Sequence, residues 1–390
     1  MRIGIDACTW LNRRGYGRFT RTLVSEMLAD YPQHDYTLMV DHHTAAAARD
    51  EFPKRANVEV IQTREQPIKA ASAYGSRSVV DLWKLGRAVS RSQFDVFLFP
   101  TSYSFYPVFG KTPVVVVLHD TIAEQHPEFI FPSLRSRLFW NLKTWLAMRR
   151  AGRLVTVSQD ARQQIATTFR RTIDTIEVIN EGPAPCFRPL APTDSSAAIL
   201  KRYRLPENAP LILYVGGISP HKNLETLVRA VRQVDRPWHL VLAGDYSGDS
   251  FFSSYEKVTA LVGKIDIADR VTFTGYVPDE DLVVLYNTAA MLVLPSLSEG
   301  FGLPVIEAMA CGLPVAVSNR GSLPEVVGEA GLLFDPRSEK EIAEVISRLL
   351  TDNALRSVLR SRSLARAKLF SWENAARKMM SILEEAARAG

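Results

Sequence analysis

Two glutamates, Glu299 and Glu307, bracket the run Gly300-Phe301-Gly302-Leu303-Pro304-Val305-Ile306 in the second half of this 390-residue chain. Met291 to Leu294 before them reads as a buried strand, and Pro304 suits the first position of a helix. A strand, a glycine turn and a helix start together leave backbone N–H groups and the positive end of a helix dipole facing one point, where a diphosphate fits. The carboxylates suit hydrogen bonds from vicinal hydroxyls. Taken alone, the pair also reads as solvated acids beside a helix start, where negative charge is favoured anyway. A second strand, glycine turn and helix runs through Leu213-Tyr214-Val215-Gly216-Gly217-Ile218-Ser219-Pro220-His221-Lys222-Asn223-Leu224. It sets Lys222 where a cation meets a phosphate already held by amides; a surface lysine is the plain alternative.

Two motifs of the first half belong beside these. His119 and Asp120 follow the apolar strand Val114 to Leu118, at the carboxyl edge where open α/β sheets bind ligands. A hydrogen-bonded structural histidine would sit there equally well. Arg13-Arg14-Gly15-Tyr16-Gly17-Arg18-Phe19-Thr20 reads as a glycine loop leading into a helix, with an ordinary turn as the alternative.

The elements that must carry these groups alternate between apolar β-rich runs and helical patterns, the signature of parallel sheets covered by helices on both faces. Strands are expected at Arg2 to Ile5, Tyr36 to Val40, Val58 to Ile61, Val96 to Phe99, Val114 to Leu118, Leu154 to Val157 and Ile176 to Val178. A second set follows at Leu211 to Val215, His239 to Ala243, Val271 to Phe273, Met291 to Leu294, Pro314 to Val317 and Gly331 to Phe334. Between the sets, Asn180-Glu181-Gly182-Pro183-Ala184-Pro185-Cys186-Phe187-Arg188-Pro189 is aperiodic and proline-rich, a linker pattern. Domains are therefore expected at 1–190 and 191–370, with a closing helix at 371–390 signalled by Ser371. The length agrees, since single cores stop growing near about 250–300 residues.

The net charge of +5 is unevenly placed. Residues 1–190 hold 25 Lys+Arg against 18 Asp+Glu, and residues 191–390 hold 22 against 24. No nucleic-acid-binding motif accompanies the basic half, which points instead to an anionic membrane surface or a phosphate-bearing acceptor. Within that half, Leu134 to Arg153 carries Arg135, Arg137, Lys143, Arg149, Arg150 and Arg153 among leucines and tryptophans, without an acid. It reads either as a helix lying on an anionic bilayer or as a core-packed helix with a solvated basic face. An acid after three apolar residues at the start argues against a signal peptide, and no stretch approaches the about 20 apolar residues of a spanning helix. Cys8, Cys186 and Cys311 lie far apart, without metal-ligand spacing, and a cytoplasmic location follows, peripheral at the inner membrane face if the basic helix touches lipid.

The segment Pro295 to Val315 closely resembles the signature of glycosyltransferase family four, retaining enzymes of the GT-B fold. That resemblance implies two Rossmann-like domains with parallel sheets facing a central cleft. It implies that Glu299 contacts hydroxyls of the transferred sugar and Glu307 the nucleotide ribose. The backbone of Phe301, Gly302 and Leu303 would lie against sugar and diphosphate. Gly216, Gly217 and Lys222 resemble the family's phosphate turn, although many relatives carry arginine where Gly217 stands, with His221 the substitute cation here. Thr274-Gly275-Tyr276-Val277-Pro278 resembles the segment that frames the base, with Tyr276 either packing or touching nucleotide. His119 resembles the family histidine beside the donor sugar, oriented by Asp120, and Gly15 and Gly17 its mobile loop, with Arg14 or Arg18 reaching phosphate. The closing helix resembles one that crosses back to the first domain, so that closure would bring His119 toward Glu299.

The implied activity is transfer of a hexose from a nucleotide sugar to a glycan or lipid-linked acceptor, as in bacterial surface polysaccharide synthesis. GDP-mannose is favoured over a UDP-glucose-type donor by the contexts of His119-Asp120 and Pro220-His221-Lys222-Asn223. No Asp-x-Asp motif of the metal-dependent type stands out, so no cofactor or metal is expected and Lys222 and helix amides should stabilise the leaving group. Alternatives are a GT-B phosphorylase, a sugar-nucleotide epimerase, or a non-catalytic nucleotide-sugar-binding protein.

Overall fold

The computed structural model describes residues 1–12, 15–65, 78–131, 133–191, 194–245 and 253–390. Among the described residues thirteen parallel strands form two sheets, each at a segment read from the sequence. The first sheet comprises β1 (Arg2–Asp6), β2 (Asp35–Asp41), β3 (Asn57–Ile61), β4 (Val96–Phe99), β5 (Val114–Val117), β6 (Arg153–Thr156) and β7 (Ile176–Val178), in the order β3-β2-β1-β4-β5-β6-β7. The second comprises β8 (Leu211–Val215), β9 (His239–Ala243), β10 (Val271–Gly275), β11 (Met291–Leu294), β12 (Val315–Ser318) and β13 (Gly331–Phe334), in the order β10-β9-β8-β11-β12-β13. Strands such as Val114–Val117 are buried along their whole length because helices cover both faces, which is why they read as continuous apolar runs. In each sheet the winding direction reverses once, between β1 and β4 and between β8 and β11. Loops leaving the carboxyl ends of strands at such a switch point splay apart and open a crevice.

The chain divides into two compact units, Met1–Glu181 with Ser371–Gly390, and Gly182–Phe370. The division falls before the expected 190/191 boundary. The proline-rich stretch packs with the second unit: Leu190 N–H donates to Asn287 Oδ1 at 2.8 Å, Asn287 Nδ2 donates to the Arg188 carbonyl at 3.0 Å, and Phe187 meets the Tyr286 ring edge-on. Aperiodic sequence looks like a linker whenever side-chain-to-backbone bonds, which leave no periodic trace, hold it down.

In the first unit the helices Gly15–Asp30 and Trp372–Ala389 pack together on one face of the sheet. Ser371 caps the second of these by accepting from Asn374 N–H at 3.1 Å, and Trp372 packs edge-on to Phe19. Right-handed crossovers place the helices Val79–Arg91 and Leu134–Arg150 on the opposite face. There Leu85, Val89, Phe97, Phe99, Phe105 and Met148 share one core. The basic segment is shorter than expected, because Arg153 opens β6 and donates to Glu385 Oε2 at 3.4 Å. Among the described residues no helix is long and apolar enough to cross a membrane.

Candidate functional site

The switch point of the second unit brings its two glycine turns together. The loop after β8 runs through a 3₁₀ turn, Pro220–Lys222, and sends Lys222 across to the loop after β11. Lys222 Nζ donates to both carboxylate oxygens of Glu299, at 2.7 and 2.8 Å, and Ser296 Oγ donates to Oε1 at 2.6 Å. The side chains are only 18% and 10% exposed, so the charges meet where water screens them weakly. The sequence reading gave Lys222 to phosphate and Glu299 to sugar hydroxyls as separate groups; the structure joins them. An ammonium has three donors, so two bonds to Glu299 still leave it able to meet an anion.

Backbone constraints explain why the pair forms here. Asn223, at φ +58°, donates to the carbonyls of Pro295 and Pro336 at 3.1 and 2.7 Å, stapling the two loops. The buried Tyr214 hydroxyl donates to the Gly217 carbonyl at 2.6 Å; burial first, and the Glu299 charge second, push its pKa well up, so it stays a donor. A Cβ on Gly244 would stand 1.8 Å from the Gly216 carbonyl oxygen, which requires glycine there. A Cβ at Gly217 would meet nothing within 4 Å, so the position where many relatives carry arginine is open in this chain. His221 Nδ1 lies 3.3 Å from Ser219 Oγ.

The Glu299 turn has a second support that the sequence did not announce. Fully buried Ser322 donates through Oγ to the carbonyls of Glu299 and Phe301, at 3.1 and 2.8 Å. Gly321, at φ +61°, lies so close that a Cβ would sit 2.9 Å from the Glu299 nitrogen. Ser322→Ala leaves two buried carbonyls short of a donor. It is expected to lower unfolding stability by about 1–3 kcal/mol in urea titration and to weaken transfer; an unchanged midpoint would remove this role.

Gly302, at φ +99°, opens the helix Leu303–Ala310, whose N-terminus has no side-chain cap. Pro304 has no N–H and Val305 N–H bonds to the Gly302 carbonyl at 2.8 Å, so Leu303 is the first-turn residue whose amide can meet an anion. Phe301 and Leu303 are buried beside it. Glu307 is 2% exposed and accepts from the Tyr286 hydroxyl at 3.1 Å, so a ribose could reach only the edge of its carboxylate. Tyr276 is exposed and Val277 buried, just beyond β10. The literal triplet Asp279-Glu280-Asp281 heads the helix Asp279–Thr288, where Asp281 accepts from Arg202 and from the Tyr203 hydroxyl, each at 2.7 Å. Among the described residues no group of three or more His, Cys, Asp or Glu could hold a metal ion.

In the first unit, His119 leaves the carboxyl end of β5 and is 9% exposed. Its Nε2 lies 2.9 Å from the carbonyl oxygen of Pro100, just beyond β4; a carbonyl only accepts, so Nε2 carries the hydrogen. Nδ1 faces Glu181 Oε1 at 3.8 Å, and Phe19 meets the ring edge-on at 4.6 Å. Glu181, 5% exposed, belongs to the proline-rich stretch whose sequence has a linker pattern. Asp120, expected to orient the histidine, accepts from Ile122 N–H at 2.9 Å and so begins the next short helix.

The expected glycine loop is instead the first turn of the helix Gly15–Asp30. Gly17 is required there because a Cβ would stand 2.0 Å from the Asn12 carbonyl oxygen. Arg18 lies in that turn, half-buried, and Arg14 falls outside the described residues. Beside it Tyr16 stacks on Tyr103 at 4.8 Å, and Trp140 Nε1 donates to Glu124 Oε1 at 2.7 Å. Burial raises the Glu124 carboxyl above its usual range.

Two doubly wound domains in one chain, with charged groups gathered at carboxyl-edge loops, define a GT-B glycosyltransferase architecture. Residues 13–182 match the family described as Glycosyltransferase Family 4, and residues 195–366 match Glycosyl transferases group 1. The chain belongs to glycosyltransferase family 4 and is an enzyme that transfers a sugar. It is 34% identical over 281 residues to O-antigen chain mannosyltransferase B of Escherichia coli, covering 70% of each chain. It is 32% identical over 268 residues to the serotype-specific mannosyltransferase WbdA of Escherichia coli, a match covering 67% of this chain and 32% of that protein. Sucrose-phosphate synthase from Thermosynechococcus elongatus shares the fold over 100% of both chains, with a TM-score of 0.77 at 22% identity.

Proposed function

We propose that this enzyme is a retaining hexosyltransferase that moves mannose from GDP-mannose to a glycan or lipid-linked acceptor in bacterial surface polysaccharide synthesis. The observation that carries the donor reading is the Lys222–Glu299 pair between two glycine turns at a switch point. The mannosyltransferase names of the two Escherichia coli relatives support the choice of sugar and pathway.

In this reading the diphosphate lies against the Gly216-Gly217 turn and the Leu303 amide at the uncapped helix start, with Lys222 and His221 as cations. Glu299 accepts from sugar hydroxyls, Glu307 from the ribose, and Tyr276 and Val277 frame the base. The bond from the anomeric carbon to the diphosphate oxygen breaks as the acceptor hydroxyl oxygen bonds to the same face. The acceptor proton passes to the departing diphosphate, and no covalent enzyme intermediate forms. His119 stands against the donor sugar, and Arg18 or Arg14 reaches phosphate. Charge stabilisation by Lys222 and fixed amides makes the reaction independent of a metal ion. The protein works in the cytoplasm, and its basic helix meets the inner membrane face.

Nuclear magnetic resonance of the product tests this reading. The one-bond C–H coupling at the new anomeric centre should match that of the α-linked donor, with turnover unchanged by EDTA. An inverted anomer, or activity lost to EDTA and restored by a divalent ion, would contradict it.

A further inference from the structure

The helices Val79–Arg91 and Leu134–Arg150 cover the same face of the first sheet, so their solvent faces point the same way. The segment between β4 and β5 ties them together. Ser90 Oγ donates to the Phe109 carbonyl at 2.7 Å, and Arg150 donates to the carbonyls of Val108, Gly110 and Thr112. Along this face large apolar side chains stand in water. Val79 and Trp83 from one helix, and Leu134, Leu138, Leu142 and Trp145 from the other, are 49% to 77% exposed. Their spacing places each set in a single stripe. An exposed apolar patch of this kind marks an interaction surface.

The charges along the patch name the partner. Arg87 lies over Trp83 at 4.7 Å and Arg149 over Trp145 at 5.0 Å, while Arg135 and Arg137 flank the leucine stripe and are exposed. The two helices contain one acid, Asp81, which is 6% exposed and accepts from the N–H groups of Arg64 and Glu65. Lys143, by contrast, is buried and donates to the Tyr103 carbonyl at 3.1 Å. A leucine and tryptophan stripe edged by snorkelling arginines matches the boundary between acyl chains and anionic headgroups.

We infer that these two helices form one docking face for an anionic lipid bilayer, with Trp83 and Trp145 as its two anchors. This extends the contact proposed for the basic helix to a second helix and does not depend on the donor's identity. Each tryptophan seats at the headgroup level while its arginine meets lipid phosphate, so binding needs both apolar burial and negative charge.

The test is co-sedimentation of the full chain with phosphatidylglycerol–phosphatidylcholine vesicles and with phosphatidylcholine alone. Binding is expected to the anionic vesicles only, falling several-fold between low and high salt. Trp83→Glu and Trp145→Glu should each lower the bound-to-free ratio on the order of tenfold, while GDP-induced thermal shifts remain as in the parent. Arg87→Gln with Arg149→Gln should lower it roughly fivefold per arginine at low salt. No binding to anionic vesicles, equal binding to neutral ones, or a Trp83→Glu variant that binds like the parent would overturn the proposal. So would a concentration-dependent dimer that the tryptophan variants dissolve while vesicle binding is unchanged.

Discussion

Lys222→Ala is expected to lower kcat/KM by about 10²–10³-fold, the range found when a charge-stabilising donor is removed from a reacting site. The substitution has a structural cost as well. Both oxygens of Glu299 lose their cation, and Ser296 alone is left to stabilise a carboxylate that is 10% exposed. Removing one partner of a fully buried pair costs about 3–5 kcal/mol; with Lys222 18% exposed, about 2–3 kcal/mol is expected here. The order of stabilities is the sharper check. Lys222→Met combined with Glu299→Gln leaves no unpaired charge, so the double variant should be more stable than Lys222→Ala while remaining inactive. If the single variant were as stable as the parent and nearly as active, the pair would be an ordinary surface contact.

His119→Ala should reduce kcat by about 10²-fold or more, because the ring is held from several sides in the orientation its proposed role requires. Pro100 fixes Nε2, Phe19 braces the edge and Glu181 faces Nδ1. Glu181→Gln preserves the shape and removes the charge. It is expected to lower kcat by roughly tenfold with little change in KM, since Glu181 acts through the histidine rather than on the donor. Near-parent turnover in His119→Ala would make the histidine structural. A Glu181→Gln effect confined to KM would place that carboxylate at the substrate.

These expectations rest on contacts of very different legibility. The strands were open to reading because parallel sheets buried on both faces leave runs such as Val114–Val117. The glycine turns were too, since Gly216 and Gly302 have positive φ where other residues are strained. What joins the turns was not. Lys222 and Glu299 lie 77 residues apart, and only the order of β8 beside β11 makes them neighbours. Ser322 looks like any serine until its carbonyl acceptors are seen, and Glu181 sat in a stretch whose prolines suggested a linker. The segment Leu134 to Arg153 does form a basic helix, over Leu134–Arg150, but which of its cations face water was hidden for a related reason. Charge alone does not separate exposed Arg135, Arg137 and Arg149 from Lys143 and Arg150, which are tied to backbone carbonyls. On Val79–Arg91, Val79 and Trp83 have the spacing of a core stripe and face solvent instead.

Calorimetric titration of GDP-mannose and of GDP into the parent enzyme and the Glu299→Gln variant tests the central assignment most directly. The parent should bind the sugar nucleotide more tightly than GDP, and the variant should keep its affinity for GDP while losing that preference by about tenfold, one charged hydrogen bond's worth. Unchanged preference for the sugar nucleotide in the variant would remove Glu299, and the turn it occupies, from the donor site.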